Sequence, residues 1–292
     1  MSSFPVLSPV STSRPKWQFD EKAPASAGYF CESFEGYRLE GRILSNDEGV
    51  LPSWPNLLAI HGARSDYTKL NPLLYSLQTH GVASLSFHLS GHNEASAVDI
   101  ERTSLENNLK ESLHFANILG VGLNAIFGHS MGGALALKVA ETYHSSVKKI
   151  ILSCPAIYSE IAYHRPFGSS FRQEISTPFS FINSLSLKFL REFKGDLMLI
   201  IGQYDGLKST EFGGIAGTAA GMVSMKNNKS KLNIVNSAIP FEVIDAIEKS
   251  LPPSRFCKVI LPECDHAVSV WLRANPMFTS DLANDIANFL SC

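Results

Sequence analysis

Nothing in these 292 residues stays apolar long enough to span a bilayer: the longest runs, such as 197–202, are strand length. Cysteine is scarce. The five, at positions 31, 154, 257, 264 and 292, are an odd, scattered set without a Cys-x-x-Cys pair. That excludes a disulfide framework or a paired-cysteine metal or redox motif, and predicts reduced thiols in a cytoplasmic protein. An excess of either charge is also lacking. Lysine and arginine number 25 against 27 acidic residues, a formal net charge of -2, and no block of like sign occurs. Nucleic acid and anionic membrane surfaces are therefore not expected partners. No basic region precedes an apolar core at the start of the chain, so no secretory signal is predicted, and 1–15 reads as an extended leader. Internal repeats and low-complexity tracts are missing as well.

What remains is the composition of a globular α/β protein, 45% hydrophobic and 31.9 kDa, a size that one domain over 1–292 accommodates. Residues 29–33 and 37–43 read as an antiparallel pair around Phe34-Glu35-Gly36, and Asn46-Asp47-Glu48-Gly49 as a turn. Buried strands then alternate with amphipathic helices: strand 56–60, helix 71–78, strand 83–87, helix 99–119, strand 124–127, helix 132–143 and strand 149–153. Strands at 197–202 and 258–261 and helices at 239–247 and 281–290 complete the pattern. Such alternation predicts a mostly parallel central sheet covered by helices on both faces.

The most informative stretch is Ala125-Ile126-Phe127-Gly128-His129-Ser130-Met131-Gly132-Gly133. It is Gly-x-Ser-x-Gly with a strand before it and a good helix former after it, the context that makes this pentapeptide a nucleophile turn. The turn strains the backbone at Ser130 and lifts its hydroxyl above the sheet, and the flanking glycines remove the Cβ atoms that would collide there. The helix start aims backbone N–H groups, that of Met131 first, at an oxyanion formed beside Ser130.

On these residues the chain resembles the α/β-hydrolase superfamily of esterases, lipases and thioesterases. The resemblance implies a triad in the chain order serine, acid, histidine. His266, in the loop Pro262-Glu263-Cys264-Asp265-His266, is the only histidine beyond the strand at 197–202. Asp205 follows that strand in Gln203-Tyr204-Asp205-Gly206 and is the expected acid, with Glu160, after the strand at 149–153, as the alternative. Asp265 adjoins His266, and neighbouring side chains usually point apart. His61-Gly62-Ala63-Arg64 looks like the superfamily's His-Gly turn, which makes Ala63 the second oxyanion donor and His61 a structural residue. A carboxylate at position 130 would be needed for a haloalkane dehalogenase or an epoxide hydrolase, and serine stands there.

One segment departs from the family. Where many relatives carry an acid and then Arg-Gly-His-Gly, this chain has His88-Leu89-Ser90-Gly91-His92-Asn93. The substrate class of those relatives is therefore not carried over. His88 and His92 are four apart, but Ser90-Gly91 argues against a helix between them and no carboxylate or cysteine completes a ligand set, so no metal is expected. No cofactor is expected either. Two segments stand outside the alternation. Residues 155–194 are dense in aromatics, including Phe171, Phe179 and Phe181, and read as a short helical cap or lid over the site. Residues 207–237, between acid and histidine, form a second insertion whose glycines at 213–221 lack the strand and Gly-Lys-Ser/Thr of a phosphate loop.

Together these readings predict a serine hydrolase that cleaves an ester or thioester of an apolar or aromatic acyl group through an acyl-enzyme. Acyl transfer and C–C bond hydrolysis by the same triad, or a non-catalytic ligand receptor on the same fold, are the alternatives. The expected partner is a small acyl substrate, with Arg64, Phe171, Phe179 and Phe181 as candidate contacts.

Overall fold

The computed structural model describes residues 22–45, 54–93, 96, 98–226 and 232–292. The leader read over 1–15 and the turn read over 46–49 lie outside them.

β1 (Ser26–Phe34) and β2 (Tyr37–Ser45) form an antiparallel hairpin through Glu35 and Gly36, both at positive φ. β3 (Leu57–Ile60), β4 (Ser84–Phe87), β5 (Ala125–His129), β6 (Lys149–Ser153) and β7 (Asp196–Gly202) follow. A separate antiparallel pair, β8 (Gly221–Lys226) and β9 (Leu232–Ser237), precedes β10 (Phe256–Leu261). The eight-stranded sheet runs β1-β2-β4-β3-β5-β6-β7-β10 and is parallel from β4 onward. β3, β4 and β6 are buried at every position, as strands covered on both faces must be.

The helices are α1 (Asn71–Thr79), α2 (Leu105–Leu119), α3 (Met131–Thr142), α4 (Glu160–Tyr163), α5 (Ser169–Ile175), α6 (Leu185–Glu192), α7 (Phe241–Glu248), α8 (Val268–Ala274) and α9 (Pro276–Ser291). They pack in two groups: α1 with α8 and α9, and α3 with α2 and α6, which in turn touch α4 and α7. No helix among the described residues is long and apolar enough to cross a membrane. All five cysteines are unpaired.

The structure departs from the pattern reading in four places. The helix read over 99–119 begins at Leu105, because Ser104 is extended and its hydroxyl accepts the Asn107 N–H, a cap worth about 1 kcal/mol. β10, read as buried on both faces, is the sheet edge, and Ile260 is 54% exposed. The last helix starts at Pro276 rather than 281, with proline in its first turn, and α8 precedes it unread. The second insertion contains the β8–β9 hairpin, with Val223 and Val235 paired on its buried face and Met222 and Ile234 exposed.

Candidate active site

β3, β4, β5, β7 and β10 all release the chain at one edge of the sheet, and the residues singled out above gather there. Ser130 joins β5 to α3 at φ 54 and ψ −122, a left-handed backbone for a residue with a Cβ. It is held there from both sides. Its N–H donates to Ser153 O at 2.9 Å, and its carbonyl accepts from Gly133 and Ala156, each at 2.9 Å. Strain of this kind persists only where neighbours fix it, and these three bonds do.

The glycines of the turn are forced by contact as well as conformation. A Cβ on Gly132 would lie 2.3 Å from Ile60 O and 2.5 Å from His61 O, and one on Gly128 would lie 2.4 Å from Gly132 O. The turn is therefore packed directly against the end of β3, which brings Gly62 and Ala63 beside Ser130.

Ser130 Oγ is 2.9 Å from His266 Nε2, and His266 Nδ1 is 2.7 Å from Asp205 Oδ2. The Asp205 side chain is fully enclosed, and its second oxygen accepts the N–H groups of Gly206 (3.1 Å) and Ile239 (3.0 Å). Three donors on a buried carboxylate fix its rotamer. They also fix His266 as the tautomer that carries hydrogen on Nδ1 and presents a lone pair to Ser130. The His266 N–H donates to Asn236 O at 2.9 Å, so β9 anchors this loop.

Neither alternative acid is in place. Glu160 takes both the Lys138 ammonium, at 2.9 and 3.1 Å, and the Leu185 N–H at 2.9 Å. Asp265 accepts from the N–H groups of Asn236 and Ala267, while the His266 Nδ1 partner is Asp205.

Two histidines missed by sequence reasoning support the arrangement. His129 stacks on His266, with ring centroids 5.6 Å apart and planes 28° from parallel. Burial, then the nearby His266, push its pKa down to about 4, so it adds no positive charge beside the imidazole. His92 accepts the Arg64 N–H on Nδ1 at 3.2 Å and donates from Nε2 to Asn108 Oδ1 at 2.8 Å. It thus holds the turn that carries Ala63, where Arg64 adopts φ 49. The surviving Gly-His pair of the divergent 88–93 segment was the available signal. His61, expected to be structural, donates to Gly62 O at 2.8 Å and accepts from the Leu89 N–H at 3.0 Å.

Cys154, Asp205 and His266 offer donor atoms within 4.8 Å of one another, the spacing a metal ion would need. The carboxylate and imidazole are already committed to each other, and burial raises the Cys154 thiol well above its ordinary range. A protonated thiol is a poor ligand. The Gly202 N–H reaches its sulfur at 3.4 Å, which suits a packing residue.

Two clefts meet at Ser130. One, ≈ 350 Å³, lies between the His61-Gly62-Ala63-Arg64 turn and α8 and is lined by Ala63, Arg64, Lys69, His266 and Val268 among others. The second, ≈ 230 Å³, lies under 155–194 and is lined by Ile157, Ile175, Phe181, Ile239 and Val243. Of the three phenylalanines expected to meet substrate, only Phe181 lines either cleft. Phe171 is buried and packs edge-on against Tyr158 and Phe167, while Phe179, at φ 57 and 40% exposed, abuts Gly217. Aromatic density does not tell which rings of the segment face the clefts.

A family profile described as "Serine aminopeptidase, S33" matches residues 55–183, which span β3 to the middle of the inserted segment. Est1E from Butyrivibrio proteoclasticus, solved with ferulic acid bound, aligns with a TM-score of 0.58 at 16% identity over 87% of this chain and 97% of that one. The thioesterase domain from the curacin biosynthetic pathway gives 0.56 at 15% over 87% and 99%. A meta-cleavage product hydrolase from Pseudomonas fluorescens IP01 gives 0.56 at 12% over 88% and 95%. A search of curated proteins found no match. At such identities the likeness concerns architecture, and the chain has the α/β-hydrolase fold.

Proposed function

We propose that this chain is a serine hydrolase cleaving an ester or thioester through a covalent acyl-enzyme. The observation that carries the reading is the unbroken chain from Ser130 Oγ to His266 Nε2 and from His266 Nδ1 to Asp205 Oδ2, at 2.9 and 2.7 Å. Ser130 Oγ bonds to the substrate carbonyl carbon while its proton passes to His266 Nε2. Asp205 stabilises the imidazolium. The backbone N–H of Met131, first residue of α3 and without an intrahelical acceptor, and that of Ala63 receive the oxyanion. Each such donor is worth about 2.7–4 kcal/mol in the transition state. Collapse breaks the bond to the leaving oxygen or sulfur, which takes the proton from His266. Water then repeats the sequence on the acyl-enzyme, releasing the acid and restoring Ser130.

An aminopeptidase role, the name of the matching profile, fits this site poorly. Such a substrate brings an α-ammonium near the nucleophile, and among the described residues neither cleft around Ser130 is lined by a carboxylate. The apolar lining under 155–194 instead suits an uncharged acyl group, with that segment acting as the lid. Fluorophosphonate labelling tests the nucleophile, because only an activated serine reacts. Labelling of the wild type that disappears in a folded Ser130→Ala protein supports the reading; equal labelling of both removes Ser130 from the mechanism. Hydrolysis of a panel of acyl esters and thioesters, with Ser130→Ala as blank, then defines the bond cleaved.

A further inference from the structure

The two clefts at Ser130 differ in charge, and only one of them reaches the group that must protonate the leaving atom. His266 lines the cleft beside the Ala63 turn but not the one under 155–194. In acyl transfer the imidazolium has to hand its proton to the departing oxygen or sulfur, so the leaving group must lie on the His266 side. The acyl group then occupies the apolar cleft walled by Ile157, Phe181 and Val243.

The leaving-group side carries Arg64 and Lys69 on its wall and, among the described residues, no carboxylate. Among the described residues neither cation has an ion-pair partner. The nearest acid in sequence, Asp66, is not among the residues that line the cleft and accepts the Thr68 N–H at 2.7 Å and the Thr68 hydroxyl. Arg64 leaves the backbone from a fixed point, since its φ of 49 is held by the N–H bond to His92 Nδ1. An exposed cation on a loop is ordinarily just solvated. Two of them on one wall of a cleft that ends at the nucleophile, with no carboxylate among the described residues that line it, give that cleft a positive potential.

We infer that this cleft is a subsite for an anionic leaving group, an alcohol or thiol bearing a carboxylate or phosphate, which Arg64 and Lys69 bind. The inference rests on the serine-hydrolase reading above and adds the chemistry of the departing half of the substrate. Ser130 Oγ takes the acyl carbon, the C–O or C–S bond breaks, and the anionic alcohol or thiol leaves with the proton from His266.

The test uses three thioesters with one hexanoyl group and leaving thiols of similar size: 2-mercaptoethanol, 3-mercaptopropionate and 2-mercaptoethyl phosphate. Released thiol gives kcat/KM for the full chain, and the readout is the ratio of each anionic substrate to the neutral one. The wild type is expected to favour an anionic substrate by about 10-fold at low salt, mostly through KM, with the advantage shrinking as salt screens the cleft. In Arg64→Gln/Lys69→Gln that ratio falls to about 1, and Arg64→Lys in place of Arg64→Gln recovers part of it. Preference for one anion over the other identifies carboxylate or phosphate as the bound group. A ratio near 1 in the wild type, or one unchanged in the double variant, overturns the subsite while leaving the hydrolase reading intact. If no thioester turns over, protection of Ser130 from fluorophosphonate decides: both anionic thiols should slow labelling of the wild type more than 2-mercaptoethanol does, and not that of the double variant. Equal protection by all three thiols overturns the subsite. Absence of any labelling at Ser130 overturns the hydrolase reading and the subsite with it.

Discussion

At the scale of single residues, the nucleophile turn leaves the least room for change. The atoms that a methyl group on Gly132 would strike are backbone carbonyls of Ile60 and His61, which cannot rotate away. Relief requires moving the end of β3 from the start of α3, and with it Ala63 from Ser130. Gly132→Ala is therefore expected to lower stability by about 1–3 kcal/mol and to abolish fluorophosphonate labelling. A labelled, fully stable variant would show that the two elements are not locked together. The acid gives a second residue-scale prediction. Asp205→Asn keeps the shape but not the charge, and the amide can present hydrogen to His266 Nδ1, reversing the tautomer. A loss on the order of 10⁴-fold in kcat is expected. Glu160→Gln disturbs only the pair with Lys138 and the N–H of Leu185, and kcat should fall less than about 3-fold. Steady-state kinetics of both variants check this, and the reverse order would move the acid to the end of β6.

At the scale of elements, strand–turn–helix logic made the sheet and the position of Ser130 legible, because period and chain order are one-dimensional properties. The destination of an apolar ring is not. Phe171, Phe179 and Phe181 lie within eleven residues of one another, yet one packs inside the segment, one meets Gly217 and one lines the cleft. Likewise β8 and β9 were hidden because Gly213, Gly214, Gly217 and Gly221 dominate the reading of that insertion, while the two valines that bury the hairpin are only a weak alternation. These placements give a graded prediction. Phe181→Ala should shift acyl-chain preference by about 1–3 kcal/mol in relative kcat/KM, favouring bulkier groups. Phe179→Ala should leave the preference unchanged, and Phe171→Ala should mainly lower the melting temperature. Parallel losses on every substrate in all three variants would make the segment ordinary packing rather than a lid.

At the scale of the whole molecule, buried polar groups are what the sequence hid most completely. Arg42 lies on β2 with no exposure, donating to Tyr75 Oη at 2.8 Å and Asn71 Oδ1 at 2.6 Å between the rings of Tyr67 and Tyr75. Its strand pattern alone would place it outside. Behind the Ala63 turn, Tyr37, Glu111, Asn108 and His92 form one hydrogen-bonded chain across three elements, which no local motif encodes.

These buried imidazoles set how the fold responds to acid. His61, His88 and His92 are each less than 9% exposed, and burial pushes all three below the ordinary histidine value, to about 3 for His88 and about 4 for His92. In the unfolded chain each titrates near roughly 6.5. Above that value both states are neutral at these groups and stability does not depend on them. Below it the unfolded state takes up protons that the folded state refuses, so stability falls, by up to about 1.4 kcal/mol per pH unit for each group. The fall continues until the folded values are reached. Glu111, whose carboxyl burial raises, acts in the opposite sense but is a single group. The melting temperature is therefore expected to be level from about pH 8 to 7 and to drop by more than about 5 °C by pH 5.5. Protonation of His92 also removes the acceptor for the Arg64 N–H, so fluorophosphonate labelling should decline as the folded protein approaches its unfolding pH. His92→Asn, neutral at every pH, should flatten part of the slope. A melting temperature that stays constant from pH 7 to 5.5 would mean that these imidazoles bind protons within the folded state, and that the chain behind the Ala63 turn is open to water.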